Sequence, residues 1–169
     1  MKLRYLIYFL PFMFCCKIQA PLIPYIFEIE QITVLDHMEK INNILPKDLQ
    51  YMSLYIYTES LRNDIDYLLV LAIMRVESRF DKYAVSYKGA RGLFQLMPIH
   101  GVNIYNEREY ISKSIEFIKW LKNFSPDNLE MILASYNFGR SNVLNKRLPR
   151  ETREYIYKVK CIYVEYINS

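Results

Sequence analysis

The sequence predicts an all-α fold, and three observations carry that prediction. Apolar residues recur at three- and four-residue steps through most of the chain. Helix-starting and helix-stopping residues punctuate those stretches. No alternating apolar–polar run of useful length competes for a strand. At 169 residues the chain is long enough for one domain with a real core and short for two. With 52% apolar residues, only four glycines and no low-complexity segment, disorder is a poor reading.

Residues 1–20 read as a separate leader. Lys2 and Arg4 form a basic start, Tyr5 to Cys16 is apolar, and Ala20 offers a small residue for cleavage, the pattern of a secretory signal peptide. The apolar run falls short of the roughly 20 residues a bilayer span needs. An uncleaved N-terminal anchor remains open, as does lipid attachment at Cys15 or Cys16. Three of the 22 basic residues lie in the leader and no acids do, so the remainder carries 19 bases against 18 acids. A balance of +1 gives no warrant for a nucleic-acid partner. Beyond the leader, Cys161 stands alone and His37 and His100 are far apart in sequence, so neither an internal disulfide nor a metal site is expected. No cofactor is implied, and a monomer is expected.

Residues 21–45 read as a connecting segment with a helix around 34–44, and residues 46–169 as the functional domain. Pro46-Lys47-Asp48 opens a helix to about Leu61, which Asn63-Asp64 ends. Asp66 is placed to cap the next helix, Tyr67 to Ser78, whose run Leu68 to Met74 is apolar on every side and belongs at a domain centre. From Arg79 to Gly101 the periodicity fails, and a loop with one short helical turn is expected. Glu107–Phe124 returns to helical spacing, with Ile111, Ile115, Ile118 and Leu121 on one face. Ser125-Pro126-Asp127 reads as a capping hydroxyl followed by proline at the first helical position. The helix it opens carries Leu129, Ile132, Leu133 and Tyr136 and ends at Gly139. A last helix runs from Pro149 to about Ile167.

Glu77 is the residue this pattern does not explain. It closes the most apolar helix just before a glycine-bearing loop, where the core meets a cleft. Desolvation there would raise its pKa and keep it protonated, as a general acid requires. On spacing alone, a lone glutamate at a helix end is more often a solvated surface residue or a partner for Arg75 or Arg79. Asp81 reads as a turn residue.

The blocks around Glu77 narrow the choice. "ESRFDKYAVSYKGARGLFQLMP" (Glu77–Pro98), "LASYNFG" (Leu133–Gly139) and "LPRETREYIYKV" (Leu148–Val159) together resemble the soluble lytic murein transglycosylase family over roughly residues 64–167. The family pattern has five short blocks, and all five occur here in order. The resemblance implies a lysozyme-like all-α domain that cuts the β-1,4 bond between N-acetylmuramic acid and N-acetylglucosamine in peptidoglycan glycan strands. Glu77 would be the sole catalytic carboxylate, acting as acid and then as base while the sugar's own C6 hydroxyl closes a 1,6-anhydro ring. Tyr155 matches the late tyrosine whose hydroxyl approaches that acid. Tyr136 and Asn137 match the Tyr-Asn pair beside it. Ser86 and Gln95 match cleft positions that orient sugar groups, and Met97 a residue lining a sugar subsite. Each also has an ordinary reading, Gln95 and Asn137 as loop satisfiers of backbone groups and the two tyrosines as core aromatics with polar tips.

The leader pattern predicts export, which puts the protein in the periplasm or cell envelope. A wall-spanning secretion or flagellar machine is a partner to consider. Two alternatives stay in view: a hydrolytic muramidase on the same fold, and a wall-binding component without turnover. This chain departs from the pattern in a short segment between Pro98 and Ile111, in Phe138 where a small residue is usual, and in Arg140-Ser141 where Pro or Gly is usual.

Overall fold

The computed structural model describes residues 22–98, 101 and 103–169; the expected leader therefore lies outside the described residues. Among the described residues it contains seven α-helices and no strand. They are α1 (Leu22–Ile44), α2 (Ser53–Arg62), α3 (Tyr67–Ser78), α4 (Glu107–Phe124), α5 (Leu129–Phe138), α6 (Arg140–Asn145) and α7 (Arg150–Asn168), with a 3-10 helix at Lys47–Met52. Residues from Lys40 onward form one compact unit.

α3 is the centre of that unit. Every side chain from Leu68 to Met74 is buried, and Val70, Leu71, Ala72, Ile73 and Met74 have no exposed surface at all. Each large apolar side chain so buried contributes about 1.5–3 kcal/mol, which is why a helix apolar on all sides settles where other helices cover every face. α7 packs along it through Tyr155, Ile156 and Val159, while α4 contributes Ile111, Ile115 and Ile118 to the same core. Asp66 caps α3 as its position suggests: its carboxylate accepts from Leu68 N at 2.8 Å, and its second oxygen accepts from the Tyr163 hydroxyl of α7 at 2.8 Å.

The structure differs from the sequence expectation at three boundaries. The helix expected around 34–44 extends back to Leu22 as α1. The stretch after Pro46 begins as a 3-10 helix before α2 takes over, because Leu49 and Met52, three apart and both buried, eclipse on one side of a three-residue turn. Ser125 does not cap α5. Residues 125–128 form a turn closed by Asn128 N to Ser125 O at 3.2 Å, and the capping oxygen is that of Asn128, which accepts from Met131 N at 2.9 Å. Asn and Ser compete nearly equally as caps, and the turn moves the helix start three residues on. The stop at Asn63-Asp64 falls where expected, with Asp64 in the left-handed region.

Candidate active site

α3 ends abruptly at Ser78, one residue beyond Glu77. Arg79 and Phe80 both take left-handed backbone angles (φ 55° and 67°), which is uncommon for residues with a side chain and reverses the chain away from the helix axis. Phe80 turns back into the core, and the Arg75 guanidinium lies over its ring at 5.8 Å. The Ser78 hydroxyl donates within hydrogen-bond range of Met74 O (3.1 Å) and Leu93 O (2.9 Å), tying the helix end to the loop that follows. Lys82 pairs with Glu107 at 3.0 Å and fastens the start of that loop to α4.

The loop from Arg79 to Pro98 holds no regular element beyond single-turn structure. Two isolated bridges, Val85 with Arg91 and Arg91 with Leu96, fold it on itself. Its tightest point is set by Tyr110 of α4, whose hydroxyl donates to Arg91 O at 2.7 Å and accepts from Phe94 N at 2.9 Å. Gly92 sits against that same hydroxyl at φ +74°, and a Cβ there would fall 2.9 Å from it. Glycine is required twice over at this position, by its angle and by the close approach.

Glu77 is half-buried, and its carboxyl pKa is pushed up to about 7. Burial is the cause; the nearby Tyr155 hydroxyl works against it by favouring the anion. Neither Arg75 nor Arg79 forms an ion pair with it among the described residues, so the solvated-pair reading is not what the fold builds. Three tyrosines surround the carboxylate closely enough that its charge raises each of their pKa values beyond the effect of burial: Tyr155 of α7, Tyr136 of α5 and Tyr110 of α4. Tyr110 reaches about 12. No second carboxylate contributes to the behaviour of Glu77 among the described residues. Asp81 is a turn residue, its carboxylate accepting from Tyr83 N at 2.8 Å.

The other expected site residues fall into two groups. Tyr155 and Tyr136 converge on Glu77. Tyr136 donates to Phe94 O at 2.8 Å, whereas the Tyr155 hydroxyl, although beside the carboxylate, is buried without a well-aligned partner. Buried polar atoms left so are uncommon, and catalytic hydrogen bonds often tighten only when substrate is present. Asn137 is exposed and accepts at Oδ1 from the buried Thr152 hydroxyl at 2.9 Å, a bond that leaves its amide nitrogen uncommitted.

Ser86, Gln95 and Met97 lie along the loop. Ser86 accepts from Ala90 N at 3.0 Å. Gln95 spends its amide nitrogen on Ala84 O (3.0 Å) and Gly92 O (2.9 Å), holding the loop in shape with its own backbone left-handed at φ 48°. Met97 is exposed and lines a cleft of about 270 Å³ with Arg91, Leu96, Ile104 and Tyr110. No group of three or more potential metal ligands occurs among the described residues.

Comparison with known proteins bears on this arrangement. The sequence profile of the transglycosylase SLT domain matches residues 55–158, which takes in Glu77, the loop and all three tyrosines. The chain belongs to the transglycosylase SLT domain family. Similar proteins include the membrane-bound lytic murein transglycosylase F of Haemophilus influenzae (strain PittEE), 25% identical over 73% of this chain and 27% of the relative. The membrane-bound lytic murein transglycosylase C of Mannheimia succiniciproducens is 42% identical over a shorter stretch, 34% of this chain and 16% of the relative. The chain thus spans about a quarter or less of the length of these curated relatives. Among solved structures, an inactive mutant of the lytic transglycosylase Slt from Pseudomonas aeruginosa matches with a TM-score of 0.58 at 24% identity, covering 66% of this chain and 23% of the other. That similarity shows the fold.

Sequence reasoning missed two residues that organise this SLT domain. Tyr110 was hidden as one more apolar position of α4, one residue before Ile111 on the buried face. Ser78 directly follows Glu77, but nothing in sequence tells that its hydroxyl reaches a carbonyl fifteen positions away.

Proposed function

We propose that this SLT domain is a peptidoglycan lytic transglycosylase in which Glu77 acts alone, first as acid and then as base. The observation that carries the reading is a carboxyl with a pKa raised to about 7 by burial, ringed by three tyrosines and by no second carboxylate among the described residues. At neutral pH a large fraction of Glu77 holds its proton and can give it to the glycosidic oxygen between N-acetylmuramic acid and N-acetylglucosamine. The C1–O bond breaks as that proton transfers. The C6 hydroxyl of the same muramic acid then attacks C1, and its proton passes to the Glu77 carboxylate, which restores the acid and leaves a 1,6-anhydro end. Water is neither consumed nor released.

A two-carboxylate glycosidase needs its second acid as nucleophile or to activate water. An oxygen already held on the reacting sugar removes that need, since an intramolecular nucleophile brings a large effective concentration. Tyr155 is suited to hold the carboxylate in register and to stabilise it once the proton has left. Tyr136 fixes Phe94 O and with it the loop facing the acid. In this reading Asn137, with its uncommitted amide nitrogen, and Met97, in the cleft, contact sugar directly. Ser86 and Gln95 serve the site by shaping the loop.

The functional domain spans 46–169, and the leader carries it to the cell envelope, as the membrane-bound relatives suggest. No helix among the described residues is long and apolar enough to cross a membrane. The test is Glu77→Gln, which keeps shape and removes the proton. Release of soluble muropeptides from sacculi should fall by more than about 10²-fold, the low end for a general acid. Unchanged release would take Glu77 out of the mechanism.

A further inference from the structure

Outside the cleft, the molecule carries a row of aromatic rings that the proposed chemistry does not use. It starts at the active site. The Tyr136 ring meets Phe117 of α4 at 5.5 Å, Phe117 lies nearly parallel to Trp120 at 5.8 Å (15°), and Trp120 meets Phe124 edge-on at 4.8 Å. The Arg140 guanidinium at the start of α6 closes the row, 3.7 Å from the Phe124 ring centre. Phe117, Trp120 and Phe124 are three and four residues apart and so share one face of α4. Trp120 and Phe124 are 44% and 47% exposed.

We propose that this row is an outer subsite for the glycan strand, in which a sugar ring stacks on Trp120 while the bond being cut lies at Glu77. The proposal rests on the transglycosylase reading for the identity of the polymer. A pyranose presents an apolar C–H face with hydroxyls at its rim. A half-exposed indole, with its electron-rich face, suits that surface. The polar neighbours fit the rim: Glu116, Lys119 and Asn123 alternate with the rings along α4, and Arg140 offers a fork of donors beside Phe124. Continuity argues for the same ligand at both places, because Tyr136 belongs to the carboxylate's surround and to the row. Tyr136 and Phe117 pack partly buried against the core, and Trp120 and Phe124 bring the row out to the surface.

The sequence contains one tryptophan, Trp120, so its fluorescence reports this position alone. The full chain carrying Glu77→Gln, which blocks turnover, is titrated with peptide-free peptidoglycan strands of graded length. Trp120 emission should change saturably, and at lower concentration for long strands than for a single disaccharide. In a second arm, Trp120→Ala in the otherwise native chain should lower the ratio of kcat/KM for long over short strands by about 3- to 10-fold, the range of one good aromatic contact. Strands that bind, by co-sedimentation, without moving Trp120 emission would overturn the proposal, as would an unchanged ratio in Trp120→Ala. The first arm needs no change at position 120, so a folding defect in the variant cannot hide the answer. If the native chain yields no anhydro ends while Trp120 still responds to strand length, the subsite stands and the transglycosylase reading fails.

Discussion

Replacing Glu77 with Gln should make the protein more stable, and by an amount that depends on pH in a defined direction. The carboxyl moves from its ordinary 4.5 to about 7 on folding because burial disfavours the charged form. Between those values the unfolded chain releases the proton while the folded chain keeps it. The folded state therefore binds more protons, and its stability falls as pH rises through that window. Below pH 4.5 both states are protonated and nothing is lost; above about pH 7 both are ionised and the full penalty applies. Each pH unit between the two values is worth about 1.4 kcal/mol, so the total is about 3.5 kcal/mol. That figure is an upper bound, because a half-buried carboxyl keeps some contact with water. Glutamine has no proton to lose, and other titrating groups cancel in the difference between the two proteins. Urea unfolding of both at pH 4 and pH 8 should show the stability advantage of Glu77→Gln growing by about 2–3 kcal/mol between them. A difference that stays flat within about 0.5 kcal/mol would mean that Glu77 is an ordinary solvated acid, and the catalytic argument would lose its basis.

Other perturbations separate the parts of the account. Tyr155→Phe removes the hydroxyl that favours the Glu77 anion, so the Glu77 limb of the pH–rate profile should move to higher pH while the rate at pH 7 falls; an unmoved limb would detach Tyr155 from the acid. Gly92→Ala forces a Cβ against the Tyr110 hydroxyl at a positive φ and should lower stability by more than about 1 kcal/mol in thermal unfolding. Tyr110→Phe strips the bonds to Arg91 O and Phe94 N, leaves a buried N–H unsatisfied, and should cost about 1–3 kcal/mol by the same measurement. Asn128→Ala should lose about 1 kcal/mol of helix capping while Ser125→Ala changes little; the opposite ranking would return the cap to Ser125.

The helical architecture was legible because its signals are local. Asp66 caps where its spacing says, and the buried run from Leu68 to Met74 follows directly from having no polar face. Signals failed where two residues could do one job. Ser125 and Asn128 both make good caps, and only the turn between them decides. Leu49 and Met52 fit an α-helix and a 3-10 helix equally on paper. At the site, Glu77 was visible as a charge at an apolar terminus, and the family pattern pointed to Tyr136 and Tyr155. The loop's internal economy was not visible. That Gln95 commits its amide nitrogen to Ala84 O, and that Tyr110 of a distant helix clamps the same loop, depend on contacts across 11 and 19 positions that no periodicity encodes. The aromatic row escaped for the opposite reason: Phe117, Trp120 and Phe124 have helical spacing that reads as core, and only the exposure of Trp120 and Phe124 distinguishes the row.

The most direct test of the central claim is the oxygen balance of the reaction. Purified protein and sacculi are incubated in water labelled with heavy oxygen, and the released muropeptides are weighed by mass spectrometry. Anhydro ends, one water lighter than ordinary reducing ends and free of label, are the predicted result, because the sugar's own C6 oxygen closes the ring. Labelled reducing ends would mean that water is the nucleophile and that Glu77 serves a hydrolase.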